Sequence, residues 1–223
     1  MAYLSNEIYE HTKLNIEEVY KKKYGFDEAH FFSKKHKSID LQFCVLKKAE
    51  HTVVVFKGSQ EKEDWLTNFR VKKKEFKGTK TYVHEGFMES FELFEKLELS
   101  ALVKEFNENK SHTLSVTGHS LGGAIATIFT AYLLNINIDK ERYVCYTFGA
   151  PPIGCKNFCM QHKKVNLYRV VNSNDPVPAV NRLKIPFLNL RYLEHIGELK
   201  ELKAEIFEHH LMSHYIDNLQ ELL

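Results

Sequence analysis

Apolar positions along the chain fall into patches of two different periods, and the order of those patches predicts the architecture. In the first 24 residues Leu4, Ile8, Leu14, Ile16, Val19 and Tyr20 stand among charges, which predicts one or two amphipathic helices. Lys21, Lys22 and Lys23 followed by Gly25 read as a helix end, since cations suit the dipole there and glycine stops the run. Residues 41–46 and 52–56 are strand-like and separated by a short polar stretch of hairpin length. Between Glu85 and Phe106 the apolar residues Phe87, Phe91, Phe94, Leu97, Leu102 and Phe106 recur at three to five, a helical period. The chain then alternates: residues 113–117 strand-like, 121–134 helical, 143–148 and 165–171 strand-like, with an amphipathic closing helix over 210–223. Strands alternating with helices imply parallel βαβ units with right-handed crossovers, an α/β fold.

Composition narrows the class. A chain of 223 residues with 43% hydrophobic and 27% charged residues is expected to form one domain over 1–223, with residues 1–37 a helical segment packed on it. Lys+Arg 31 against Asp+Glu 29 leaves a formal charge of +2, too balanced for nucleic acid as the main partner. No stretch reaches the roughly 18 uninterrupted apolar residues of a membrane helix. Residues 1–10 lack a charged n-region and an apolar h-region, so no signal peptide is expected. The cysteines Cys44, Cys145, Cys155 and Cys159 are scattered, and no second pair completes a zinc site beside Cys155 and Cys159. Reduced thiols and a cytoplasmic setting are the expectation.

The chemistry concentrates at Gly118-His119-Ser120-Leu121-Gly122, where a strand-like run passes through Gly-x-Ser-x-Gly into an apolar helix. This is the pattern of a nucleophile elbow, a turn so sharp that the serine backbone is strained and its neighbours must be small. It presents Ser120 at a strand end above a helix N-terminus, which favours developing negative charge. A serine needs a base held by a third group, and on this elbow the chain order is Ser, acid, His. Of the later aspartates, Asp139 lies in a polar connection and Asp217 follows every candidate histidine. Asp175 follows an apolar strand and sits in the proline-stiffened Asn174-Asp175-Pro176-Val177-Pro178, where the acid belongs. For the base, His195, His209, His210 and His214 all remain open on chemistry alone.

Six blocks in order make the chain resemble the class 3 lipases of the α/β-hydrolase superfamily. They are Val53 through Ser59, Asp64-Trp65-Leu66-Thr67-Asn68, Val83-His84-Glu85-Gly86-Phe87, the elbow, Phe148 through Gly154, and Arg169-Val170-Val171-Asn172 leading to Asp175-Pro176-Val177-Pro178. The resemblance implies a mostly parallel central sheet flanked by helices, with Ser120 as nucleophile and Asp175 as acid. The family's base commonly stands in His-x-Met-x-x-Tyr, which His210-Leu211-Met212-Ser213-His214-Tyr215 matches, so it implies His210; His195 falls in a block that is usually structural. The backbone N–H groups of Ser59 and Leu121 are implied as the oxyanion hole. Residues 60–70 occupy the position of the family's lid, with Trp65, Leu66 and Phe69 as its apolar face over the substrate. Lys72, Lys73, Lys74, Lys77 and Lys80 follow it and suit transient contact with a lipid surface.

The expected function is therefore a serine hydrolase of lipid carboxylic esters, working through a Ser-His-Asp triad and an acyl-enzyme, with no metal or organic cofactor. The alternative is a catalytically silent hydrolase-fold module that binds a lipid or a protein.

Overall fold

Val53-Val54-Val55-Phe56 is an unbroken apolar run because both of its faces are covered. The computed structural model describes residues 1–11, 14–59, 72–182, 192–203 and 210–221. In it β3 (His51–Phe56) turns Val54 and Phe56 to one core and Val53 and Val55 to another. Its neighbour β2 (Ile39–Lys48) does the same, with Phe43 and Val45 on the first side and Cys44 and Leu46 on the second. Period-two alternation thus survives inside a run that is hydrophobic throughout, as expected of a sheet buried on both sides.

The main sheet has seven strands in the order β1-β2-β3-β6-β7-β8-β9. Here β1 is Glu28–His36, β6 Thr113–His119, β7 Tyr143–Phe148, β8 Leu167–Asn172 and β9 Glu198–Leu202. β1, β2 and β3 pair antiparallel, whereas β3, β6, β7, β8 and β9 pair parallel. A separate two-stranded ribbon joins β4 (Lys73–Glu75) to β5 (Tyr82–His84). This is the α/β-hydrolase fold, a mostly parallel sheet between layers of helix.

One face carries α3 (Glu85–Phe94), α4 (Ser100–Glu108) and α5 (Leu121–Asn135), whose Phe94 and Phe129 pack edge-on with Phe56, Phe94 also with Phe43, while Phe91 stacks on Phe129. The other carries α1 (Ala2–Glu10), α2 (Ile16–Tyr24) and α7 (Met212–Gln220), while the short α6 (Lys156–Gln161) follows β7. α2 stops as expected: Gly25 takes φ +70° and its N–H returns to the Lys21 carbonyl.

Two expectations need correction. Residues 1–37 are helical only to Tyr24, for residues 28–36 form the edge strand β1, paired along its whole length with β2. Pairing creates that strand, since its outer half, Ser33 to His36, is exposed and polar and so carries no apolar alternation. Leu97 is not part of the buried stripe. A π turn, Glu95–Leu99, inserts an extra residue between α3 and α4, so burial passes from Phe94 to Leu99, 3% exposed, and leaves Leu97 39% exposed.

Candidate active site

Everything chemical gathers at the carboxyl ends of the parallel strands. β6 runs into Ser120, which stands at φ +56° and ψ −124° as the residue before α5. A non-glycine residue holds such a backbone only where its surroundings over-determine it. They do so by close approach. A Cβ on Gly118 would lie 2.4 Å from the Gly122 carbonyl carbon, and one on Gly122 would lie 2.3 Å from the Phe56 oxygen. The two glycines let β6, β3 and the first turn of α5 converge. The Ser120 N–H is tied to the Phe148 carbonyl at 2.9 Å, which fixes the turn to the neighbouring strand.

Asp175 stands three residues beyond β8, in a turn closed by its N–H on the Asn172 carbonyl at 2.9 Å. Its carboxylate is buried and fully used. Oδ1 accepts the Val177 N–H at 2.9 Å; Oδ2 accepts from His210 Nδ1 at 2.8 Å and from the Tyr215 hydroxyl at 2.6 Å. A carboxylate only accepts, so the His210 proton sits on Nδ1. Nε2 is then the acceptor that faces the Ser120 hydroxyl at 2.8 Å. The structure thus brings Ser120, His210 and Asp175 into one hydrogen-bonded line, although 90 residues separate the first two and 35 the second pair.

Tyr215 is the residue that sequence reasoning left without a role. It is fully buried on α7, and burial first, then the Asp175 carboxylate, push its phenol well above the usual range, so it stays a donor. Its oxygen also accepts the Asn172 N–H at 3.2 Å, clamping the end of β8 to the acid loop. Its place five residues after His210 in the matched motif was the available signal. His195 serves the same loop: its Nε2 donates to the Pro178 carbonyl at 2.8 Å. Burial, then the nearby Arg169, lower it to about 4, which keeps it neutral.

The other candidates lie elsewhere. Asp139 caps a short turn by accepting the Glu141 N–H at 3.1 Å, and Asp217 is exposed on α7. His214 sits a turn further along α7, while His209, Trp65, Leu66 and Phe69 fall outside the described residues.

Ser120 and His210 open into a cavity of about 330 Å³. Among the described residues, Ser59, His119 and residues 211–213 form part of its wall, and Asn6, Tyr9 and Glu10 of α1 line it as well. No sequence pattern announced that α1 would reach the site. Leu121 opens α5, where first-turn N–H groups have no partner within the helix, so a donor is available beside Ser120. A serine hydroxyl on an imidazole, backed by a buried carboxylate and flanked by backbone N–H groups, is equipped for acyl transfer.

Comparison with known proteins places this geometry. The family model described as "Lipase (class 3)" matches residues 53–184. The chain is 36% identical over 138 residues to secreted mono- and diacylglycerol lipase 1 of Fusarium solani, covering 57% of this chain and 38% of that protein. It is 30% identical over 149 residues to a lipase of Rhizomucor miehei, covering 63% of this chain and 40% of that one. The chain thus spans well under half the length of these relatives. Among solved structures, the native Rhizomucor miehei lipase propeptide complex superposes with a TM-score of 0.66 at 22% identity, over 90% of this chain and 67% of that chain. Lipase II from Rhizopus niveus gives 0.68 at 18% identity, over 92% and 80%. At such identities the structures share the fold.

Proposed function

The chain belongs to the class 3 lipase family, and from that premise we propose that it is a serine hydrolase cleaving carboxylic esters of lipids, acylglycerols foremost. The observation that carries the proposal is the line from Ser120 through His210 to Asp175, built on a strained elbow. Ser120 Oγ attacks the acyl carbonyl while His210 Nε2 takes its proton, and Asp175 holds the imidazolium that forms. The Ser59 and Leu121 N–H groups receive the oxyanion. His210 then protonates the departing alcohol, and water repeats the cycle on the acyl-enzyme. Losing one oxyanion donor typically costs about 10²–10³ in rate.

The test is hydrolysis of p-nitrophenyl esters from two to sixteen carbons beside a Ser120→Ala variant. Turnover in the wild type, lost in the variant by about 10³-fold or more, is the expected result. A folded wild type that neither turns over any ester nor reacts with a fluorophosphonate at Ser120 sinks the proposal.

Transient contact with a lipid surface belongs to the same reading. The lysines after residue 71 support it less than their number suggests, because Lys74 pairs with Glu92 and Lys77 with Glu95. The β1–β2 tip supports it better. Phe43 pairs with Phe56 at the end of β3, so residues 34–40 project beyond the edge that carries Ser120. Lys34 and Lys37 are exposed there, beside Lys35, which pairs with Asp40. Cosedimentation with vesicles should rise with anionic lipid by roughly 1 kcal/mol per lysine engaged, and a Lys34→Glu, Lys37→Glu variant should lose that rise. Equal binding by wild type and variant removes the contact from the proposal. The free thiols of Cys44, Cys145, Cys155 and Cys159 support a reducing compartment as its setting.

A further inference from the structure

The hydroxyl of Tyr9 touches both sides of the implied oxyanion hole. Gly58, the residue before Ser59, donates its N–H to the Tyr9 oxygen at 2.9 Å. The same oxygen lies 3.1 Å from Nδ1 of His119, the residue before Ser120. A phenol has one proton, and an oxygen already accepting from Gly58 can use it toward the imidazole nitrogen. The two rings meet edge to face at 5.7 Å and 75°, which holds the hydroxyl in place. Gly58 has the one side chain that permits this bridge: a Cβ there would lie 2.2 Å from the Tyr9 hydroxyl and 2.6 Å from the His119 carbonyl.

The helix carrying Tyr9 is itself fastened. The Ser5 hydroxyl bonds to Thr117 of β6 at 2.9 Å, and Tyr20 of α2 donates to the Leu4 carbonyl at 2.8 Å. Glu7, buried, accepts from Lys23 at 2.5 Å and from Tyr24 at 2.6 Å. A group on so rigid a support transmits position. Donors to an oxyanion work only within a few tenths of an ångström of their proper place, and a 1 Å error costs about 10²-fold in rate.

We propose that Tyr9 is a positioning residue of the reaction, setting the separation of the Ser59 and Leu121 donors by bridging Gly58 to His119. The inference rests on the hydrolase reading above. It gives the N-terminal helix a role in rate, beyond that of a cavity wall.

The experiment compares wild type, Tyr9→Phe and Ser5→Ala on a soluble nitrophenyl ester, with thermal melts and with affinity for a trifluoromethyl ketone, whose adduct on Ser120 carries an oxyanion. Tyr9→Phe keeps the ring and loses the bridge. Expected are a kcat about 10–100-fold lower, KM within about twofold, and ketone affinity reduced by the factor that kcat loses, as transition-state stabilisation requires. Ser5→Ala, which removes one fastening of the same helix but leaves the bridge intact, loses clearly less kcat than Tyr9→Phe. Undiminished kcat in Tyr9→Phe overturns the inference, as does a loss with unchanged ketone affinity, an equal loss in Ser5→Ala, or a Tyr9→Phe protein already unfolded at the assay temperature. A wild type with no Ser120-dependent turnover fails at the earlier step and takes the hydrolase reading with it.

Discussion

Two regions hold the reactive serine from opposite directions and by different physics. The elbow holds it by exclusion: Gly118 and Gly122 allow backbone to approach backbone so closely that Ser120 has one conformation left. The N-terminal helix holds the same neighbourhood by directed bonds, through Tyr9, Ser5 and the Glu7 cluster. Exclusion is indifferent to pH and salt, whereas the bonded helix contains a buried carboxylate and therefore titrates. One site thus rests on a support that fails only by mutation and on another that acid can loosen.

Gly122→Ala should break the comparison most strongly. Its Cβ would meet backbone of Phe56 and Lys57 within 2.9 Å, atoms that cannot turn aside as a side chain can. A stability loss of about 1–3 kcal/mol is expected from overpacking, with a larger fall in kcat as α5 is pushed from β3. A melt and an ester assay on one preparation check it; wild-type kcat in that variant would refute the steric account of the elbow. The Tyr9→Phe effect described above should come next in size.

Protonation of Glu7 should have the smallest effect. Burial raises this carboxyl, but the hydrogen bonds from Lys23 and Tyr24 outweigh burial and leave it below its usual value. A carboxylate lowered in the folded state stabilises above its unfolded pKa, near 4, and that contribution disappears as pH falls through the folded value. Hydrogen exchange should therefore show α1 losing protection in acid before α5 does, by about 1 kcal/mol, and Glu7→Gln should abolish the pH dependence. Simultaneous loss in both helices would mean that the two supports form a single cooperative unit.

The same contrast explains what the sequence could disclose. Exclusion is written locally: Gly118, Ser120 and Gly122 are legible because the turn needs small residues at fixed offsets. Asp175 was legible from its strand end and prolines. His210 was not, since four histidines satisfied the chemistry, and a family resemblance was needed to choose among them. Tyr9 carried no local signal, because its partners lie 49 and 110 residues away. The edge strands were hidden for a related reason. β9 exposes four of its five residues and is a strand through its pairing with β8, which no apolar period records.

The packing of α1 beside α7 has a consequence for how the molecule comes into being. Gln220 reaches the Tyr3 hydroxyl at 2.6 Å, and both helices also lend residues to the cavity wall, Asn6 and Tyr9 from α1 and Met212 and Ser213 from α7. Closing so long a stretch of chain adds little to its thermodynamic cost, which grows only with the logarithm of loop length, but contacts of such high order form slowly. A nascent chain that has already made the elbow lacks His210, 90 residues further on, and with it Tyr215 of α7. The elbow can therefore fold before its base exists, and the hydrogen-bonded line from Ser120 to Asp175 is completed only when the segment carrying His210 docks.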